Sequence, residues 1–201
     1  MEVFLGGAIG GAVTLVAVYI TIEGTRKENI ELKNERNRSF LDTFLIKSSN
    51  GMLDDFKEEY QVQDVKVIID DNYETLIRND TTLIRQKGGV KFIGITNCGP
   101  ALIKDIKVNI KNKNNTVKEN FVSRILVNEL FFIPIVFEKS HEIDTPIDTI
   151  EITYKTLVDE IIIVNKKFYD ENTYNEEINI TKNYNYGYKK TKCKFTKLKT
   201  F

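Results

Sequence analysis

Residues able to do chemistry are few and far apart in this chain of 201 residues. His141 is the single histidine, in Lys139-Ser140-His141-Glu142, and no nucleophile is signalled to align with it. It reads as a loop residue. Cys98 and Cys193 are not in a Cys-x-x-Cys arrangement, and with one histidine they cannot complete a four-ligand zinc site without carboxylates. Cys98, beside a turn, is the thiol with a chance of reactivity. The clusters Asp54-Asp55, Glu58-Glu59, Asp70-Asp71 and Asp170-Glu171 lack the loop spacing of a calcium site and read as solvated turns. The sequence holds no phosphate-cradling glycine loop, no Gly-x-Ser-x-Gly and no His-Glu-x-x-His. The expectation is therefore no catalytic residue, no metal and no cofactor. A third hypothesis, an enzyme using an unrecognised carboxylate pair, would need those carboxylates in an apolar cleft.

Charge is the other chemical lead. The chain has 29 basic and 29 acidic residues, which argues against a general nucleic-acid binder. The balance hides a segregation. Residues 182–201 carry seven Lys and no acid, leaving 22 basic and 27 acidic groups in 24–181. Tyr184, Tyr186, Tyr188, Phe195 and Phe201 interleave with those lysines. Three readings stay open. Lys189, Lys190, Lys192, Lys194, Lys197 and Lys199 could lie on an anionic inner leaflet, at about 1 kcal/mol per lysine. Lysines and rings together could bind single-stranded nucleic acid, the less favoured partner. The plainest reading is a final strand followed by a solvated tail that offsets an acidic domain.

These side chains need elements to hold them, and the first is plain. Val3 to Ile22 contains no charge, and as a helix it would span about 30 Å, the thickness of a bilayer's hydrocarbon core. A cleaved signal peptide predicts a basic start, a shorter apolar core and a small-x-small site at its end, whereas here the start is Met-Glu, the run is long and it ends Val18-Tyr19-Ile20-Thr21-Ile22 without such a site. Arg26, Lys27, Lys33, Arg36 and Arg38 follow the run and no basic residue precedes it. That asymmetry places the N-terminus outside and the remainder in the cytoplasm. Gly6, Gly10 and Gly7, Gly11 form two overlapping GxxxG pairs, and Thr14 and Ala17 continue a small-residue seam. Such a seam suits close packing against a second copy or another membrane helix.

The spacing predicts a transmembrane helix over 1–23, then a helical stalk over 24–50, where straight-chain and charged residues dominate. Phe40, Leu41, Phe44 and Leu45 have helical spacing and would give the stalk's end an apolar face. Asn50-Gly51 reads as its break, with a short amphipathic turn carrying Leu53, Phe56 and Tyr60 beyond. From Gln61 the period becomes two. Val65, Val67 and Ile69 alternate with polar or opposite-facing neighbours. So do Leu102, Ile106, Val108 and Ile110, then Ile150, Ile152 and Tyr154, then Ile178 and Ile180. With the apolar runs near 90–97, 121–127, 130–137 and 158–165, this makes about seven to nine short strands without intervening amphipathic helices. Pro134 places its strand at an edge or a bend. The fold class is mainly β: an antiparallel sandwich over 51–181, with a basic aromatic tail over 182–201.

One local motif is more specific. Val90 to Asn97 runs into Cys98-Gly99-Pro100-Ala101 and then an alternating strand; Asn97 and Gly99 accept turn conformations and Pro100 sets the exit dihedral. This resembles the "N-x-G-x-A, then alternating strand" signature of immunoglobulin-like sandwiches in a diffuse set of uncharacterised bacterial single-pass membrane proteins. Ile150 to Glu160 resembles their "strand, Tyr, short acidic turn, strand" hairpin, here without the usual Gly. The resemblance spans residues 60 to 170. It implies an architecture and transfers no catalytic residue. The expected function is a non-enzymatic interaction module that displays a cytosolic β domain at the inner leaflet for a protein partner. The alternative is an oligomerising effector, toxin-like or of phage defence, whose glycine-rich helix permeabilises the membrane.

Overall fold

The computed structural model describes residues 2–48, 55–79, 82, 84, 88–137, 145–170, 173–181 and 197–200, with side chains from residue 13 to residue 181 within those ranges. The chain divides into two compact units, Met1–Asn37 and Arg38–Phe201.

The first unit is helix α1 (Glu2–Asn37). No proline interrupts it, and beyond Arg26 it is built mostly from good helix formers. The Thr21 hydroxyl donates to the Ala17 carbonyl at 2.8 Å. At the end the Asn37 amide donates to the Lys33 carbonyl at 2.9 Å, and Arg36 places a cation in the last turn, where the helix dipole favours one. Val13, Leu15, Val16, Tyr19, Ile20 and Ile22 are all exposed. Since successive helical residues turn by about 100°, these positions cover a little over half of the circumference, and the remaining strip carries the small uncharged residues Thr14, Ala17 and Thr21. Among the described residues no helix is long and apolar enough to cross a membrane. The uncharged run begins at Val3, and the side chains of 2–12 lie outside the described set.

The expected stalk helix to residue 50 is corrected. The helix ends at Asn37 and residues Leu41–Ser48 form strand β1. Spacings of one, four and five fit a helical face, but they also fit a strand that is apolar on both sides. Leu41 and Leu45 join the core between the sheets, while Phe44 and Ile46 pack on the opposite face.

The second unit continues with α2 (Phe56–Glu59), β2 (Asp64–Ile69), α3 (Asp71–Asn79), β3 (Val90–Asn97), β4 (Ile103–Asn112), β5 (Val117–Ile125), β6 (Glu129–Pro134), β7 (Ile147–Lys155), β8 (Ile161–Phe168), β9 (Tyr174–Thr181) and β10 (Lys197–Thr200). Two five-stranded sheets result, ordered β1-β3-β6-β2-β10 and β5-β4-β7-β8-β9. The second sheet is antiparallel throughout. The first is mixed, because β2 and β6 run parallel. Ile93, Ile95, Phe131 and Ile133 of the first sheet share one buried cluster with Ile106, Val108, Ile152 and Val164 of the second, so the molecule is a β-sandwich.

A second cluster lies on the outer face of the first sheet. There Val65, Val67, Phe92 and Phe132 are covered by Phe56 of α2 and by Tyr73 and Leu76 of α3. The expectation of strands without amphipathic helices is thus corrected. Helix α3 starts because Asp70 caps it, accepting the Tyr73 N–H at 2.9 Å, and its apolar residues Tyr73, Leu76 and Ile77 recur at helical spacing. Asp70 is no solvated turn: it also pairs with the buried Lys118 ammonium of β5.

The same cover explains β6, in which all six residues are buried. A strand with both faces covered loses alternation and reads as a continuous apolar run. β6 lies at the centre of its sheet, not at an edge, and Pro134 is its last residue, where its missing N–H takes nothing from the ladder. On β4 the buried face begins at Ile103 rather than Leu102. Asp105 adopts φ +50, and the register to β7 shifts between Lys104 and Lys107, so an extra residue enters as a bulge.

Candidate functional site: the turns that hold residues 38 to 41

Two turns of the sandwich converge on the four residues that precede and begin β1. The first is the β3–β4 turn. Asn97 is buried, and its Oδ1 accepts the Gly99 N–H at 3.0 Å, an Asx turn. Its Nδ2 donates to the Ala101 carbonyl at 2.8 Å and to the Ile125 carbonyl at 3.4 Å. An Asp could make the first bond but not the others. Gly99 is required by approach: a Cβ there would overlap the Cα, Cβ and Oγ of Ser39. Ser39 is fully buried, and its hydroxyl donates to the Ala101 carbonyl at 2.7 Å and accepts the Ala101 N–H at 3.0 Å. The Cys98 N–H donates to the Phe40 carbonyl at 3.0 Å, so the β1–β3 ladder that starts at Leu41 opposite Asn97 is extended through the turn. Pro100 is exposed at the turn's outer side.

The second turn joins β7 to β8. Thr156 N–H donates to the Glu160 carbonyl at 3.0 Å, Asp159 N–H to the Thr156 carbonyl at 3.1 Å, and Glu160 N–H to Thr156 Oγ1 at 3.2 Å. Asp159 adopts φ +56 and so supplies the left-handed residue that a glycine would ordinarily provide. This turn presents Glu160, whose side chain is 2% exposed, to Arg38. Arg38 Nε and Nη2 each donate to one carboxylate oxygen at 2.7 Å, the bidentate geometry in which this pair is strongest. Next to it the Tyr154 hydroxyl accepts the Leu41 N–H at 3.3 Å. Burial pushes the Tyr154 phenol up to about 12, against a smaller lowering by the Leu41 bond.

Asn97, Gly99 and Pro100, expected as a structural turn, therefore stand together at this grip. The grip itself was not legible. In the sequence Arg38 reads as a topology signal and as a stalk-helix partner of Glu35, and Glu160 as part of an acidic turn; the pair is 122 residues apart. The other expected site residues lie elsewhere. Gly6, Gly7, Gly10 and Gly11 are on the α1 backbone, with surroundings outside the described residues, and Thr14 and Ala17 are exposed on the same helix. Lys189, Lys190, Lys192 and Lys194 lie outside the described residues, as do His141 and Cys193. Lys197 and Lys199 are not in a solvated tail: residues 197–200 form β10, paired with β2.

Cys98 is exposed, but desolvation, and then the nearby Asp42 charge, hold its thiol above the ordinary range, opposed by a bond to the Asp42 backbone. That is the reverse of what activates a thiol. Among the described residues no three His, Cys, Asp or Glu side chains converge as a metal site would need. Fixing a chain segment against the sandwich is what this arrangement can do. No protein-family model matches the chain, and no curated protein or solved structure is detectably similar to it.

Proposed function

We propose that the protein is a single-pass membrane protein, N-terminus outside, that displays its sandwich in the cytoplasm at the inner leaflet as a non-enzymatic interaction module. The observation that carries this reading is the broad exposed apolar surface of α1 from Val13 to Ile22, with no charge on any side of it, continued towards the N-terminus by an uncharged sequence. A helix with that much exposed apolar surface and no charged face has no stable place in water. The grip on Arg38, Ser39 and Leu41 supports the display role, since the sandwich fixes its own chain from Arg38 onward. The basic residues after the uncharged run support the orientation. The immunoglobulin-like assignment belongs to this proposal too. Two face-to-face sheets, the Asn97–Ala101 turn and Tyr154 before an acidic turn favour it.

The partners in this reading are membrane lipids, a second copy or another helix along Gly6, Gly7, Gly10 and Gly11, and a protein held by the sandwich. The 182–201 lysines favour anionic lipid. Carbonate washing of membranes should leave the full-length chain in the pellet, and protease added outside sealed cells should spare the sandwich. Release into the supernatant, or digestion from outside, overturns the proposal. Crosslinking in intact membranes then identifies the partner. Depolarisation on expression, lost on changing those four glycines to Leu, would instead mark a permeabilising assembly.

A further inference from the structure

The second sheet reaches one strand further than the first on the β1 side. Lys166 of β8 donates to the Thr43 carbonyl of β1 at 2.9 Å, which places β1 over β8, and β1 is the edge of its sheet. β9 lies beyond it. Ile178 and Ile180 pair with Val164 and Ile162, which are core residues, and so share the inward face, yet they are 47% and 42% exposed. Behind this overhang a cleft of about 210 Å³ enters the sandwich, with Leu45, Ile93, Ile150 and Phe168 among its walls.

Its polar lining is confined to one place. The Lys166 side chain is 5% exposed, with its ammonium on the Thr43 carbonyl, 3.5 Å from Glu176 Oε1 and 4.7 Å from the centre of the Tyr174 ring. Beside it the buried Thr43 hydroxyl oxygen has no hydrogen-bond partner among the described residues. Leaving a hydroxyl buried and unpaired is costly, and natural cores seldom do it. A buried cation next to an unused hydroxyl, at the mouth of an otherwise apolar cleft, is the donor set for an oxyanion whose apolar body fills the remainder.

We infer that this cleft binds a small monocarboxylate with an apolar body. The carboxylate would take the Thr43 hydroxyl and Lys166, displacing Glu176, and the body would lie against Leu45, Ile93, Ile150 and Phe168. The volume corresponds to about seven water-sized groups, which sets the size near that of hexanoate. Binding involves no covalent step. The site lies wholly within the sandwich and does not depend on where the protein resides.

Titrating carboxyl-labelled hexanoate into the full-length protein in lipid nanodiscs, with protein-free discs as the partition control, tests the inference by NMR. Saturable binding is expected, tightening about fourfold per methylene from butanoate to hexanoate and then levelling off. Hexanol should bind at least tenfold more weakly. Thr43→Val should weaken hexanoate several-fold and leave hexanol unchanged. Lys166→Met should remove the preference for the acid. Glu176→Gln, at a half-exposed position, should strengthen hexanoate binding several-fold by freeing Lys166, an effect that a purely structural ion pair would not produce. A comparison of hexanoate with 4-methylpentanoate separates an acyl-chain source from a branched amino-acid source. The inference is overturned by signals indistinguishable from protein-free discs, by equal affinity for acid and alcohol, or by a Glu176→Gln variant that binds hexanoate no better.

Discussion

At the scale of single residues, the most consequential contact is Arg38 with Glu160. A carboxylate whose side chain is 2% exposed depends on its partner, because removing one half of a buried pair leaves a desolvated charge. Arg38→Met should lower the stability of the sandwich by about 3 kcal/mol, whereas Arg38→Met with Glu160→Met should recover most of it; urea denaturation measures both. If the single variant unfolds at the wild-type midpoint, the pair is ornamental. Tyr154 gives a second test. Burial favours its neutral phenol, so its contribution is complete below the ordinary value of 10.0 and is lost as pH rises towards 12. Tyr154→Phe should be less stable at neutral pH by about 1 kcal/mol, since the Leu41 N–H loses its acceptor. It should also fall less steeply between pH 10 and 12. A slope equal to that of the parent would exclude Tyr154 as the titrating group.

At the scale of elements, α3 and β5 are joined through Asp70 and Lys118. Asp70 caps the helix and its carboxylate pairs with the ammonium, which also donates to the Pro134 carbonyl. Burial lowers the proton affinity of Lys118, opposed by Asp70. A lysine with a lowered folded pKa binds fewer protons folded than unfolded, so its share of stability grows as pH rises towards 10.5. Asp70→Ala should lose about 1 kcal/mol for the cap, and more for the unmatched cation. Its deficit should shrink between pH 7 and pH 9.5, and Lys118→Met in the same chain should restore stability except for the cap. A deficit that does not change with pH would mean the cation is not the source. Gly94 shows a different linkage between elements: a Cβ there would overlap the Phe44 ring, which stacks on Tyr60 with centroids 4.6 Å apart. β1 and the turn after α2 are thereby packed through a position where any side chain would have to displace the Phe44 ring.

At the scale of the molecule, protection should follow cover. β6 has neighbours on both edges and apolar layers on both faces, whereas seven of the eight residues of β9 are exposed and the last is half-buried. Amide hydrogen exchange should therefore be slowest at Phe131 and Phe132 and much faster along β9, because opening an edge strand exposes little apolar surface. Uniform exchange across the two strands would contradict the layered arrangement. The charged outer face of the second sheet, with Lys107 on Glu119 and Asn109 on Glu151, has no such cover among the described residues and keeps its alternation.

That contrast shows what was readable in the amino acids alone. β4 and β7 announce themselves because one face meets water and the other the core, so period two survives in the residues themselves. The uncharged run, the helix formers after it and the Asn97–Pro100 turn likewise depend on groups within a few positions of one another. β1 resembled a helix, α3 an acidic turn and β6 an edge. In each, what mattered was whether a distant layer covers the second face. The parallel contact of β2 with β6, the meeting of Arg38 with Glu160 and the cleft beneath β1 have the same character. Local periodicity records backbone preference, while burial of a face and the pairing of remote charges gain their energy only once the two sheets and the helical layer are stacked.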